Sequence, residues 1–230
     1  MLAKVIGALR KSKIPGGIVH TLDYCLQSEL NDCSSALDLG CGPSSPLQHC
    51  RSIAYSVGVE TFLPYLNASK EKSIHSEYVH HSIQDVSFSA KSFDAVIMLE
   101  VIEHLPEEEG LKILCKAEKW ANKKIIISTP QGFFPMGDVD GNSYQQHLSG
   151  WEVQRFRGLG FNKIHGMSGA KCMYLKQNTV HSMQNPNELF ANIRFKPKKI
   201  FYLLNAIAQI GTYYFPRHAF GLFAVKTLIS

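Results

Sequence analysis

The chain has 230 residues, 45% of them hydrophobic, and a formal net charge of +5 with ten histidines that can add to it under mildly acidic conditions. That size suits one domain with an elaboration, and the apolar content excludes a disordered chain. The charge favours anionic ligands or surfaces, yet it falls far short of the basic footprint of a dedicated nucleic-acid binder.

Residues 1–34 read as a helical lead-in. Leu22, Leu26 and Leu30 recur every fourth residue, after a break at Pro15-Gly16-Gly17. Residues 1–10 carry basic side chains but no long apolar core or small-residue cleavage site, so no signal peptide is expected. No stretch reaches the roughly 20 apolar residues that span a bilayer. Cys25, Cys33, Cys41, Cys50, Cys115 and Cys172 include no C-x-x-C pair. That spacing indicates neither a zinc ribbon nor a thioredoxin-type site, and reduced thiols in a cytoplasmic protein are expected.

From residue 35 strands and helices alternate, and 35–170 reads as one core. The expected strands are 36–39, 53–59 ending at Glu60, 80–83 ending near Asp85, 93–99 and 124–128. A helix is expected over 107–121, with Leu111, Leu114, Ala117 and Trp120 on one face. A second helix is expected over 149–159, then a strand over 161–167. Residues 171–218 read as a helical insert or lid, and 219–230 return to the core as a last strand over 220–228. Near-continuous apolar strands separated by helices imply a mostly parallel sheet covered on both faces. Sheets of this kind bind ligands at the carboxyl ends of their strands.

Four features fall at those strand ends in order. Ala36-Leu37-Asp38-Leu39-Gly40-Cys41-Gly42-Pro43-Ser44-Ser45 is an apolar strand running into an acid and a tight glycine turn. Such an end presents backbone N–H groups and a carboxylate to a ligand, although G-x-G alone is not specific. Glu60 follows Gly42 by 18 residues, a spacing that suits hydrogen bonds to ribose hydroxyls. Asp85 could accept from an adenine amino group. The fourth feature is Leu99-Glu100-Val101-Ile102-Glu103-His104-Leu105. Together these describe an adenosine-containing ligand. Ser45 stands where G-x-G-x-x-G has its third glycine, and no G-K-[ST] is present, which excludes a P-loop. A ligand whose far end is cationic suits Asp38 better than a pyrophosphate does.

The stretches 36–43, Val59-Glu60, Gln84-Asp85-Val86, 93–106 and 125–130 jointly resemble the class I S-adenosylmethionine-dependent methyltransferases. They are most similar to the methyltransferase type 11 group, which includes ubiquinone-biosynthesis and small-molecule O-methyltransferases. The resemblance covers 34 to about 167 plus the last strand. It implies an α/β, Rossmann-like, seven-stranded and mostly parallel sheet with helices on both faces. The last strand would be antiparallel, inserted between the fifth and sixth, with the helical insert before it. It implies S-adenosylmethionine as cofactor, with Asp38, Gly40 and Gly42 around the methionine part and Cys41 also among the cofactor-binding residues. Glu60 would hold the ribose, Asp85 and Val86 the adenine, and Leu99 and Glu100 would line the methyl-transfer side. A nicotinamide-binding Rossmann protein, or a degenerate fold that binds no cofactor, fits the glycine pattern and the 99–105 segment poorly.

The loop 129–148 is long for a plain connection, which favours a functional loop. His147 lies just before the expected helix at 149 and is read as a base or substrate contact, with Glu100 as the second catalytic candidate. The simpler reading of His147 is a residue that caps or packs on that helix. Glu100, Glu103 and His104 share one face if helical, and with His147 they could hold a divalent cation. That set resembles the metal site of small-RNA 2′-O-methyltransferases and of some ubiquinone-pathway enzymes. In many relatives the same segment braces neighbouring loops without a metal, and no metal is expected here. Residues 194–215 run from a basic stretch into an aromatic, apolar helix with Asn205 and Gln209 as one polar stripe. A core or lid helix is the simplest reading; a peripheral contact with anionic lipid or a dimer contact are the others. The leading expectation is O-methylation of a small molecule, a sugar, a phenol or a lipid-linked intermediate. Methylation of RNA or protein, possibly metal-assisted, is the alternative. A non-catalytic cofactor-binding module is the third reading, and Glu60 and Asp85 speak against it.

Overall fold

The structure is a computed structural model, and it describes residues 19–138, 141–173 and 198–228. The readings that fall on 1–18 and 174–197, including most of the lead-in, much of the insert and the start of its basic stretch, lie outside the described residues.

The described chain opens with helix α1 (Leu22–Glu29), whose Thr21 hydroxyl caps the Tyr24 N–H. Strands β1 (Ser35–Leu39) and β2 (Tyr55–Glu60), helix α2 (Leu63–Glu71) and strand β3 (Glu77–His80) follow. Then come β4 (Phe93–Leu99), α3 (Glu107–Trp120), β5 (Ala121–Pro130), α4 (Val153–Gly158), β6 (Lys163–Ala170), α5 (Lys198–Tyr214) and β7 (Ala219–Thr227). The seven strands form one sheet in the order β3-β2-β1-β4-β5-β7-β6. β7 runs antiparallel to both β5 and β6, and the remaining pairs are parallel. The antiparallel last strand thus lies between the fifth and sixth.

Strand alternation divides the core in two. Leu37, Leu39, Val57, Val59, Val96 and Met98 face α3, which buries Ile113, Leu114, Ala117 and Trp120 against them. Ala36, Ala95, Ile97, Ile126, Phe223 and Val225 face α1 and its Leu26 and Leu30. Each fully buried Leu or Ile contributes about 1.5–3 kcal/mol. Three acids, Glu107, Glu108 and Glu109, open α3, where the helix dipole favours negative charge.

Register sets the working edge. Leu39 pairs with Val59, and Asp38 with Ile97, so Gly40, Glu60 and Glu100 leave the sheet side by side.

Several boundaries differ from the sequence reading. β3 stops at His80 because the chain turns at once, with the Asp85 N–H donating to the Ser82 carbonyl. Only Val153–Gly158 of the expected 149–159 helix is helical. Trp151 instead makes bridges to Gln131 and Gly132, and Gly150 lies so close to the Phe133 backbone that a side chain would collide with it. Helix α2 was not foreseen.

Candidate functional site

The turn after β1 is built around Glu60. Its Oε2 accepts from the Gly42 N–H at 3.0 Å, and its Oε1 accepts from the Phe62 N–H at 2.8 Å. One carboxylate therefore braces both the glycine turn and the start of α2. The Gly40 and Cys41 N–H groups donate to the Val59 carbonyl, which ties the turn to β2. Gly40 has φ +72°, and a Cβ there would lie 2.6 Å from Val101 Cγ2. A Cβ on Gly42 would meet nothing within 4 Å, so its bare backbone faces open space.

That space is a cavity of about 440 Å³ lined by the turn, by Glu60, Tyr65, Ile83 and Gln84, and by Leu99, Glu100, His104 and Tyr144. Its size lies within the usual range for small-ligand sites. Asp38 is buried behind the turn. Burial raises its carboxyl to about 7, against the Ser45 hydrogen bond that lowers it and with Glu60 pushing it further up. The Ser45 hydroxyl donates to Asp38 Oδ2 at 2.5 Å and accepts from the Leu47 N–H, capping a short 3-10 turn at Pro46–His49. His75 Nε2 is 3.5 Å from the same Asp38 oxygen, and burial lowers the His75 pKa to about 4, so this ring is neutral near pH 7. Burial raises the Cys41 thiol well above its ordinary value.

Of the nine residues expected to bind cofactor, Asp38, Gly40, Cys41, Gly42, Glu60, Leu99 and Glu100 line this cavity. Asp85 and Val86 do not. Asp85 is exposed with His81 Nδ1 4.0 Å away, and Val86 is packed in the core. The early end of β3 brings Ser82, Ile83 and Gln84 to the cavity in their place. Sequence reasoning also missed Ser45, although a Ser before Pro is a helix-start signal.

Glu100 stands at the end of β4 with φ +56°, a left-handed conformation that a glutamate rarely adopts. Its N–H donates to the Ser128 carbonyl at 2.9 Å, and its Oε1 accepts from the Ser128 hydroxyl at 2.7 Å. Glu100 is exposed as a residue; desolvation of its carboxyl raises the pKa, against that hydrogen bond.

His147 occupies a different place from the one expected. It is buried, lines neither this cavity nor its neighbour, and has Nδ1 2.6 Å from the Phe134 carbonyl. The loop folds back so that the Leu148 and Ser149 N–H groups donate to the Glu103 carbonyl, which sets the imidazole behind His104. Burial, with His104 beside it, lowers the His147 pKa to about 4. Glu103, His104 and His147 do come together, with one ligand-type atom from each within 4.8 Å of the others. Each histidine turns Nδ1 toward a backbone carbonyl, His104 toward Gln146 and His147 toward Phe134. Burial, and then the charge of Glu100, drives the Glu103 carboxyl well above its ordinary pKa; Thr129 offsets this only in part, and neither Glu103 oxygen has a well-formed hydrogen bond among the described residues. This trio could hold a divalent cation. Glu100, tied to Ser128, is not one of the three.

A second cavity, of about 610 Å³, opens on the other side of Glu100. His20 and Asp23, His49, Ser128, Gly169 and Gln209 are among the residues that line it. Glu100, Ser44 and Pro46 belong to both cavities.

Residues 37–123 match the model of a methyltransferase domain. No curated protein sequence matches the chain. Among solved structures, a SAM-dependent methyltransferase from Archaeoglobus fulgidus is similar over 90% of this chain and 94% of its own, at 16% identity and a TM-score of 0.52. The plantazolicin methyltransferase in complex with SAH is similar over 99% of this chain and 90% of its own, at 12% identity and a TM-score of 0.52. The chain spans 48% of the length of an S-adenosylmethionine-dependent methyltransferase from Clostridium acetobutylicum, at 13% identity and a TM-score of 0.42. The domain match over 37–123 supports a methyltransferase that uses S-adenosylmethionine, and the two structures at a TM-score of 0.52 share its Rossmann-like fold.

Proposed function

We propose that the enzyme methylates a hydroxyl of a small molecule held in the second cavity, across Glu100 from the cofactor. The observation that carries this reading is the position of Glu100 in the walls of both cavities. The cofactor, when bound, supplies a methyl group on a sulfonium, a ready electrophile. The task left to the chain is to align the two partners and to receive the hydroxyl proton. Gly40, Gly42 and Glu60 hold the donor side, and Asp38 supplies negative charge behind the turn. Glu100 takes the proton: Ser128 fixes its carboxylate, and desolvation raises its pKa, which makes it a stronger base than an ordinary glutamate. His147 acts at a distance, bracing the loop that brings Tyr144 and Gln145 to the cavity.

The test is methyl transfer from labelled S-adenosylmethionine to a panel of sugars, phenols and lipid-linked alcohols, with wild type and Glu100→Gln. The variant should keep cofactor affinity and lose turnover about a hundredfold. Label appearing in RNA or protein, and in no small alcohol, would sink the reading.

The Glu103, His104 and His147 trio favours a second, metal-assisted reading. These three would hold a divalent cation, and the cation would polarise an acceptor oxygen near His104. Methylation that survives exhaustive chelation ends that version.

A further inference from the structure

Helix α5 carries its polarity the opposite way round from α3. On α3 the apolar residues Ile113, Leu114, Ala117 and Trp120 are buried and the acids face out. On α5 the buried side chains among the described residues are Gln209 and Thr212, both polar. The Gln209 amide accepts from the Gly169 N–H at 2.8 Å and donates to the Gly166 carbonyl at 2.9 Å. Thr212 is buried, and its hydroxyl donates to the Ala208 carbonyl. Asn205 donates to the Ser168 carbonyl, and Tyr213 stacks on His165 and His20. Hydrogen bonds and rings thus hold this helix to β6. Its exposed face is apolar: Leu203 is 60% exposed, Ile207 58% and Tyr214 64%, with Ile200 and Ile210 beside them and Phe215, just past the helix, 66% exposed. Their spacing of three, four and seven residues makes one continuous stripe.

The sequence of α5 and its flanks carries one sign of charge, while the acids beside it, Asp23 and Glu29, belong to α1. Residues 189–218 contain Arg194, Lys196, Lys198, Lys199 and Arg217 and no aspartate or glutamate. Residues 1–22 contain four basic residues and no acidic one, and they lead into α1 beside α5, where Gln209 also reaches the His20 carbonyl at 3.5 Å. A second copy of this face would bring cations against cations. An anionic lipid surface supplies both of the missing complements, a place for apolar side chains and negative charge for the basic residues. No helix among the described residues is long and apolar enough to cross a membrane, so α5 would lie along a surface rather than span it.

We propose that the outer face of α5 docks on an anionic bilayer, with Leu203, Ile207 and Tyr214 at the boundary between headgroups and acyl chains. The inference does not depend on the acceptor or on the role of Glu100. It is tested by flotation of the full chain with vesicles of phosphatidylcholine alone, or with about a third of phosphatidylglycerol. Wild type should float with the anionic vesicles, stay behind with the neutral ones, and be partly released by high salt. The double variant Leu203→Asp/Ile207→Asp should bind at least about tenfold more weakly, with S-adenosylmethionine affinity unchanged because neither residue lines a cavity. Lys198→Glu/Lys199→Glu keeps the stripe and should lose the preference for anionic lipid. Equal behaviour with both vesicle types, or a double variant that floats like wild type, overturns the proposal. A wild-type dimer that the double variant dissolves, with no vesicle binding, overturns it in favour of a second copy.

Discussion

The two cavities that meet at Glu100 are assembled in different ways. The first takes nearly all of its wall from strand ends between Asp38 and Leu105, where register alone brings Gly40, Glu60 and Glu100 together. The second draws on residues near 20, 46, 128 and 168 and on Asn205, Ala206 and Gln209 of α5, which packs on β6. A site made by register is fixed by a few residues at short spacing. A site made by packing depends on contacts whose sequence separation is large. Changes in the first should act on the cofactor alone, and changes in the second on the acceptor alone.

The most forceful test of that division is Glu60→Ala. It removes the acceptor of the Gly42 and Phe62 N–H groups, which brace the wall of the first cavity. Losing charged hydrogen bonds worth about 3 kcal/mol lowers S-adenosylmethionine affinity about a hundredfold. Calorimetric titration that finds the variant within about threefold of wild type would mean that Glu60 does not organise the cofactor cavity.

A matched pair of glycines tests both sides at once. Gly40 (φ +72°) lines the first cavity, and Gly169 (φ +78°) lines the second. A Cβ on Gly40 would strike Val101, and a Cβ on Gly169 would fall inside the Asn205 amide. Gly40→Ala should weaken cofactor binding about thirtyfold, from about 2 kcal/mol of strain. Gly169→Ala should push α5 away and raise the acceptor KM while cofactor affinity stays within about twofold. If Gly169→Ala weakens the cofactor as much as Gly40→Ala does, the two cavities are one unit.

The same contrast explains what could be read from the sequence. The β1 turn and Glu60 were legible because apolar strands with fixed spacing leave little choice of register. Asp85 was misplaced because Glu77-Tyr78-Val79-His80 is a short edge strand with little apolar pattern, so nothing in it marks where the chain turns. His147 stood out by residue type, but its depth depends on backbone hydrogen bonds from Leu148 and Ser149 to Glu103, which no local pattern announces. The amphipathic character of α5 was legible and its facing was not. A stripe shows that two faces differ, and only the polar hydrogen-bonding groups of β6 determine which one turns inward.

Asp38 gives a pH test confined to the first cavity. Its folded-state value of about 7 lies above the ordinary 3.8. The folded protein therefore holds a proton that the unfolded chain has lost between about pH 4 and pH 7. Stability falls as pH rises through that window, by up to about 4 kcal/mol. A cationic ligand prefers the ionised form, so S-adenosylmethionine affinity should rise with pH, by about tenfold per unit at most, and level off above pH 7. Asp38→Asn should flatten both profiles. Wild-type affinity that is level from about pH 5.5 to 8 would place the cation away from this carboxyl.

The smallest expected effects come from two positions a half-turn apart on α5. Gln209→Leu is an apolar change at a buried site, and on an ordinary helix it would be mild or stabilising. Here it strips the Gly169 N–H and the Gly166 carbonyl of their partners. It should cost about 2 kcal/mol and raise the acceptor KM about fivefold. Ile207→Asp puts a charge where an ordinary helix would bury a side chain, and here it should change stability by less than about 0.5 kcal/mol. Thermal melts of the two single variants decide the orientation. If Ile207→Asp is the more damaging, the apolar stripe is packed inside the protein and the second cavity is bounded differently. If Gln209→Leu is the more damaging, the polar face of α5 is what attaches the helix to the sheet and shapes the acceptor side.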